Sequence, residues 1–313
     1  MVWRHFSTMA TLATPIGMPV ERIEGRLHGS DAPAVMLFAG APVTAEFVAG
    51  ALMTMERRTA VGRLRSPLAL RGAAFERQCA DADLAVAEVP WLWRSCLPAR
   101  MPLRIPAWVS QEIRGVAGTT IVLPTLLCRE VNRLCRREAY EVEFTTDFGA
   151  IRRFYADLYR PYVSSRFGTA AVVVDERRFL SVGRGMTLAM LRAGDPWIAG
   201  MLFAQRGGTL NLGWFGSSTA SARAGASEVL DARVIERAVA RGVRRVVMGH
   251  SRPSLADGVV RYKARFGAIV TPTRFPQRVI ALRVSQPLPV LAAALNAAKF
   301  VSFSRGAPEI YSA

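Results

Sequence analysis

The sequence predicts an α/β (α+β) protein in which a mixed, largely antiparallel sheet is flanked by helices. Three observations predict it. Three alternating runs, "GMTLAMLRAG", "WIAGMLFAQ" and "TLNLGWFGS", are joined only through "AGDP" and "RGG". Short polar or glycine turns between such runs make an antiparallel meander. Next, "GASEVLDARVIERAVARG" (225–242) sets Ala226, Leu230, Val234 and Ala238 along one helical line and stops at Gly242. Last, "VRRVVMGHS" (243–251) is a strand reached through that helix, so it can lie parallel to and beside the strand carrying Trp214.

The remaining elements follow in order. Residues 1–30 look like a poorly ordered lead-in. "APAVMLFAG" (32–40) is a buried strand bounded by Pro33 and Gly40. "TAEFVAGALMTMERR" (44–58) is a helix on the spacing of Phe47, Val48, Leu52 and Met55. "DADLAVAEVP" (81–90) alternates as a strand, and the Trp- and Pro-rich 91–109 is an irregular connection packed on the core. A helix over 126–138 carries Leu127, Val131, Leu134 and Cys135, and "AYEVEFTTD" is a strand. The helix over 147–163 turns Ile151, Phe154, Tyr155 and Leu158 inward and ends at Pro161. "IVTPTRFPQRVIALRV" supplies the last strand or two, and 287–303 is a docking amphipathic helix. The expected domains are 31–145 and 146–284, with a C-terminal helix and tail over 285–313.

About half the residues are apolar and the formal charge is +17, which favours anionic partners. Basic residues are spread along the chain without interleaved aromatics, so no dedicated nucleic-acid surface is indicated. Cys79, Cys96, Cys128 and Cys135 form no C-x-x-C pair and read as buried thiols. His5, His28 and His250 are too scattered to make a metal site by spacing. The first 20 residues lack a signal-peptide core, no run of 18 apolar residues is present, and a cytoplasmic protein is expected. Contact with a membrane surface is a minor option through the C-terminal helix.

"DGVVRYKARFGA" (257–268) poses the sharpest question. Asp257 is its natural N-cap and Gly267 its stop. At about 100° per residue, Val259, Tyr262, Lys263 and Phe266 share one face, opposite Arg261 and Arg265. Lys263 and Lys299 are the two lysines of the chain, and Lys263 sits in an apolar stripe. Either its stem packs while its head reaches water, or it faces a pocket.

The order helix, three-strand meander, helix, strand, helix, strand resembles the acyltransferase core of the GNAT superfamily. "DPWIAGMLFAQRGGTLNLGWFGSS" and then "RRVVMGHSRPSLADGVVRYKARFGA" resemble its Fem-type, FemAB-like branch. There a helix carrying a lysine and ending in an aromatic-glycine pair follows a strand that ends in a small-residue turn. The resemblance covers roughly residues 147–284. Fem-type proteins usually pair two such domains, so 31–145 could be a diverged first copy and the chain two tandem GNAT-like domains. The resemblance implies an acyl-CoA or acyl-carrier thioester as co-substrate, with no permanently bound cofactor and no metal. For classical Fem-type members it implies an aminoacyl-tRNA donor, the one route by which nucleic acid would be a partner.

The phosphate turn departs from the superfamily. GNAT acetyltransferases carry Q/R-x-x-G-x-G/A there, whose backbone N–H groups hold a pyrophosphate. Here the stretch is "SSTASARAGAS": Ala222 takes the place of the Q/R and Arg223 lies two residues before Gly225. Ser221, Arg223, Gly225 and Ala226 are the candidates to hold the donor.

The resemblance places Lys263 near the acyl acceptor or the developing oxyanion, where a fixed ammonium stabilises charge. His250 could act as general base, Ser251 could donate a hydrogen bond, and Arg252 could pair with phosphate or carboxylate. His250 and Ser251 are adjacent on a strand end and point opposite ways, which argues against a nucleophile pair. Asn211, Trp214 and Tyr262 could contact substrate. By alternation Asn211 shares a face with Gly213 and Phe215, and Trp214 points to the other. Tyr159, Tyr162 and Arg166 form an acceptor-side wall. The sequence thus describes an acyltransferase acting on an amine or hydroxyl of an amino-acid, peptide or sugar acceptor, such as a cell-envelope or exopolysaccharide precursor. Its rivals are an aminoacyl-tRNA-dependent transferase and a non-catalytic GNAT-like binding module.

Overall fold

A computed structural model describes residues 17–115, 120–167, 173–218, 225–273, 277–285, 289–304 and 307–310. The chain begins with β1 (Met18–Leu27), β2 (Pro33–Ala39), α1 (Pro42–Leu52), β3 (Met53–Leu64), α2 (Ala73–Ala80), β4 (Leu84–Pro90), β5 (Leu103–Pro106) and β6 (Val109–Arg114). Its middle holds α3 (Thr125–Glu138), β7 (Tyr140–Thr145), α4 (Phe148–Phe154), α5 (Arg160–Phe167), α6 (Glu176–Gly183), β8 (Thr187–Ala193), β9 (Trp197–Arg206) and β10 (Thr209–Ser217). Then come α7 (Ala226–Val239), β11 (Arg245–Ser251), α8 (Gly258–Ala264), β12 (Ile269–Pro272), β13 (Arg278–Val284), α9 (Pro289–Ala298), β14 (Val301–Ser304) and β15 (Ala307–Ile310).

Two units result. One comprises Met1–Ser110, His250–Arg261 and Val270–Ala313, the other Gln111–Gly249 and Tyr262–Ile269. The boundaries differ from the contiguous domains the sequence suggested. β13 pairs antiparallel with β4 and with β5, so a strand from near the C-terminus completes the first sheet. Residues 18–27, expected inside an unordered lead-in, form β1, with Val20, Ile23 and Leu27 buried.

The first sheet has the order β3-β1-β2-β4-β13-β5. One face packs on α1 and α9 around Met36, Phe38, Val86 and Ile280. The other packs on Leu70, Phe75, Cys79 and Leu97. Every residue of β4 from Leu84 to Val89 is buried, because this strand is covered on both faces and both edges. The helix expected over 44–58 stops at Leu52, and residues 53–64 form the edge strand β3 instead. Thr54, Thr59 and Val61 favour a strand, and the segment pairs with β1 along its length, so sheet pairing overrides the helical spacing. The apolar side of α9 (Leu291, Ala294, Leu295 and Ala298) is buried in the same core, which leaves that face nothing to offer a lipid surface. Among the described residues, no helix is long and apolar enough to cross a membrane.

The second sheet has the order β12-β6-β11-β10-β9-β8-β7; β8 to β10 form the antiparallel meander that the sequence predicts, and β7 extends it by pairing antiparallel with β8. β10 and β11 pair in parallel, as the helical crossover requires. One face packs on α3 and α7 through Leu127, Val131, Leu210, Leu230 and Val234. Each sheet thus has an antiparallel run, a parallel pair (β2 with β4, β10 with β11) and then a strand from a distant stretch of chain.

The helix expected to end at Pro161 continues to Phe167. A π-turn over Tyr155–Tyr159 precedes the proline. Such a turn leaves a carbonyl without its ordinary amide partner, so a residue with no N–H is tolerated just beyond it. Gly216 lets this helix approach β10: a Cβ there would lie 2.5 Å from Tyr159 Cα.

Candidate active site

The site starts from the parallel pair. β10 and β11 are in register only at Thr209–Arg245, Leu210–Val246 and Asn211–Val247. Beyond that point both strands continue, to Ser217 and Ser251, without being paired to each other. The separation coincides with a register break on the other edge of β10, between Leu212 and Phe215. A bulge of this kind re-aims side chains. Phe215 therefore packs with the core of Leu210 and Leu212, while Trp214 stacks on Phe179 at 4.4 Å. This corrects the simple alternation, which put Phe215 on the face of Asn211. The two parallel strands thus part toward their carboxyl ends, the usual location of a binding site in a sheet of this type.

The Trp214 side is lined by rings. Tyr159 lies 6.1 Å from Trp214 and 4.8 Å from Phe179, and the Tyr155 hydroxyl donates to Val174 O at 3.0 Å. Burial pushes the Tyr159 hydroxyl up to about 12, so it stays a neutral phenol. Tyr162 meets Phe215 edge-on at 5.2 Å, and Arg166 donates to the Tyr162 hydroxyl at 2.5 Å. Tyr159 in the π-turn is buried, Tyr162 in α5 is half-buried and Arg166 in α5 is exposed. Asn211 is half-buried on β10, the last residue paired to β11.

On the far side of α7 lies a buried polar group. Asp231 accepts from the Tyr262 hydroxyl at 2.5 Å, and both Lys263 and Asp231 are buried. Burial raises the Asp231 carboxyl to about 7, against the pull of the Tyr262 hydrogen bond and the Lys263 charge. Burial and the Asp231 charge push the Tyr262 hydroxyl far up. Glu228, one turn earlier, accepts from Ser227 and pairs with Arg265 at 3.0 Å. The question raised by the lysine has this answer: Lys263 is buried within the second unit, near enough to Asp231 for its charge to pull that carboxyl down. Asp231 was missed in the sequence, although "VLDARVI" shows an acid set among core positions.

The face of α8 differs by one residue from the helical-wheel expectation. Val260 is buried and Val259 exposed, and the buried arc is centred on Lys263 and Phe266. Asp257 does cap the helix, accepting from Val259 N at 2.8 Å and Val260 N at 3.0 Å. His250 is exposed and Ser251 buried at the end of β11, on opposite sides as strand geometry requires. His250, Ser251 and Arg252 belong to the first unit, Tyr262 and Lys263 to the second. The Arg252 guanidinium, expected to take a phosphate or carboxylate, is engaged otherwise. It donates to Val43 O at 2.8 Å and Ala107 O at 3.5 Å and lies 3.9 Å over the Trp108 ring. Burial draws its pKa down.

Gly225 stands at the N-cap of α7 with φ of 100°, and Ala226 is the first helical residue. Ser221 and Arg223 lie outside the described residues. Cys79 and Cys96 are buried, Cys128 and Cys135 half-buried, and burial raises the Cys79 thiol to about 11. Among the described residues, no group of three His, Cys, Asp or Glu side chains could hold a metal ion.

Comparison with known proteins bears on this geometry. Residues 127–264 match the family model described as "Acetyltransferase (GNAT) domain". The matched segment contains the parallel pair, α7 and α8. No curated protein matches the chain. Among solved structures, the backbone is similar to L-PGS from Bacillus licheniformis, at 12% identity over 87% of each chain and a TM-score of 0.42. It is similar to FemX at 11% identity over 84% of this chain and 88% of that one, with a TM-score of 0.42. A tandem GNAT protein from the clavulanic acid biosynthesis pathway matches at 12% identity over 74% and 76%, with a TM-score of 0.35.

Proposed function

We propose that the second unit transfers an acyl group from a thioester, an acyl-CoA or an acyl carrier, to an amine or hydroxyl of an amino-acid, peptide or sugar-linked acceptor. The divergence of β10 from β11 beyond Asn211 carries the reading. An extended thioester arm can enter where the two strands part, and the α7 N-terminus at Gly225 and Ala226 would hold its phosphates. The acceptor lies against Trp214, Tyr162 and Asn211. Its nitrogen or oxygen attacks the thioester carbonyl, the new bond forms as the C–S bond breaks, and the acceptor proton ends on the departing thiolate. Such a transfer needs positioning and an oxyanion partner more than a dedicated nucleophile. We assign Tyr262 a positioning role, since its hydroxyl fixes α8 to α7 through Asp231, and Lys263 a supporting one through its charge on the same carboxyl.

A second donor, aminoacyl-tRNA, is favoured by the net charge of +17. The test is thermal stabilisation of the full chain against a panel of acyl-CoAs, free coenzyme A and aminoacyl-tRNA. The first reading expects one acyl-CoA to raise the melting temperature in a saturable way. Stabilisation by aminoacyl-tRNA alone, lost with rising salt, selects the second. No stabilisation by any donor removes both.

A further inference from the structure

We propose that the first unit docks on an anionic lipid bilayer through a knuckle made of Leu68, Trp91, Leu92 and Trp93. Two short 3-10 turns, Pro67–Arg71 and Trp91–Cys96, build it. Arg71 ties them together: its Nε donates to Cys96 O at 3.1 Å and its Nη2 to Ser95 O. The Trp91 amide donates to Gln277 O at 2.8 Å, which anchors the second turn to the sheet. The knuckle is therefore held in place by its own backbone bonds.

These turns turn large apolar side chains outward. Leu92 is 68% exposed, Leu68 57% and Trp93 42%, and Trp91 is exposed beside them. Leu70, Cys96 and Leu97 from the same stretches fill the core, so the outward side chains are surplus to folding. Three consecutive exposed apolar residues are an error in a purely soluble surface unless they serve contact. Tryptophan beside leucine suits the boundary between headgroups and acyl chains.

Charge chooses the partner. Residues 57–75 hold five arginines and no acid, and residues 89–111 hold three arginines and no acid. Arg63, Arg65 and Arg94 have no carboxylate partner among the described ion pairs, and the Arg94 guanidinium lies 3.6 Å over the Trp91 ring. Arg57, Arg58 and Arg100 are paired with glutamates, but exposed apolar side chains with Arg94 over Trp91 and Arg63 and Arg65 in the same stretches match phosphate headgroups over an apolar interior.

The experiment is co-sedimentation of the full chain with vesicles of equimolar phosphatidylglycerol and phosphatidylcholine, and with phosphatidylcholine alone. The anionic vesicles should retain the protein and rising salt should release it. Leu92→Ala and Trp93→Ala should each lower partitioning about tenfold, as expected for losing one buried apolar side chain. Their melting temperatures should equal the parent's, since both side chains are exposed. Absence from the anionic vesicles, or sedimentation of both variants like the parent, would overturn the proposal. So would a dimer that Leu92→Ala dissociates while no vesicle binds, which would make the knuckle a contact between copies.

Discussion

At the scale of single residues, Asp231 sets the pH response. Burial holds its carboxyl protonated up to about 7, against an ordinary 3.8. The folded state thus binds a proton that the unfolded chain releases, and this contribution is complete below about 4 and is lost as pH rises to about 7. Asp231→Asn should flatten the fall in melting temperature between pH 4 and 7, a difference on the order of 4 kcal/mol if the whole effect is expressed. Lys263→Met removes the cation that pulls the carboxyl down, so the fall should extend to higher pH. Equal pH profiles for the parent and Asp231→Asn would contradict the buried cluster. The helical wheel placed Lys263 inward correctly, because Phe266 and Lys263 dominate that arc. It missed Val260, since a seven-residue helix leaves room for the arc to rotate toward its neighbour.

At the scale of elements, close packing decides what pattern alone could not. The meander and the parallel crossover were legible because turn residues and alternation are local signals. The bulge in β10 was not, because "NLGWFG" alternates acceptably on paper; the Leu212–Phe215 break appears only when β9 pairs beside it. Gly216→Ala would push a Cβ into the Tyr159 backbone. It should destabilise the protein by about 3 kcal/mol, measurable by denaturant unfolding. Pro161→Ala should be close to neutral, since the π-turn already accommodates the missing amide. In α9, Leu295→Ala should cost about 3 kcal/mol, because its side chain is fully enclosed. A neutral result there would mean the helix is not docked.

At the scale of the whole molecule, the exchange of strands was invisible in the sequence. β4 and β13 pair although they lie almost two hundred residues apart, and no local signal encodes such a partner. The buried run of β4 hinted only that something must cover its edges. Truncation after Thr273 removes β13 and α9 from the first unit. That chain should lose its cooperative unfolding transition and become protease-sensitive over residues 18–110. The central claim concerns the place where β10 leaves β11. Amide hydrogen exchange with and without a saturating acyl-CoA tests it most directly. The account predicts protection of residues 212–218, of 248–251 and of the first turn of α7 from Ala226. Protection confined to other segments, with those amides exchanging as in the free protein, would contradict it.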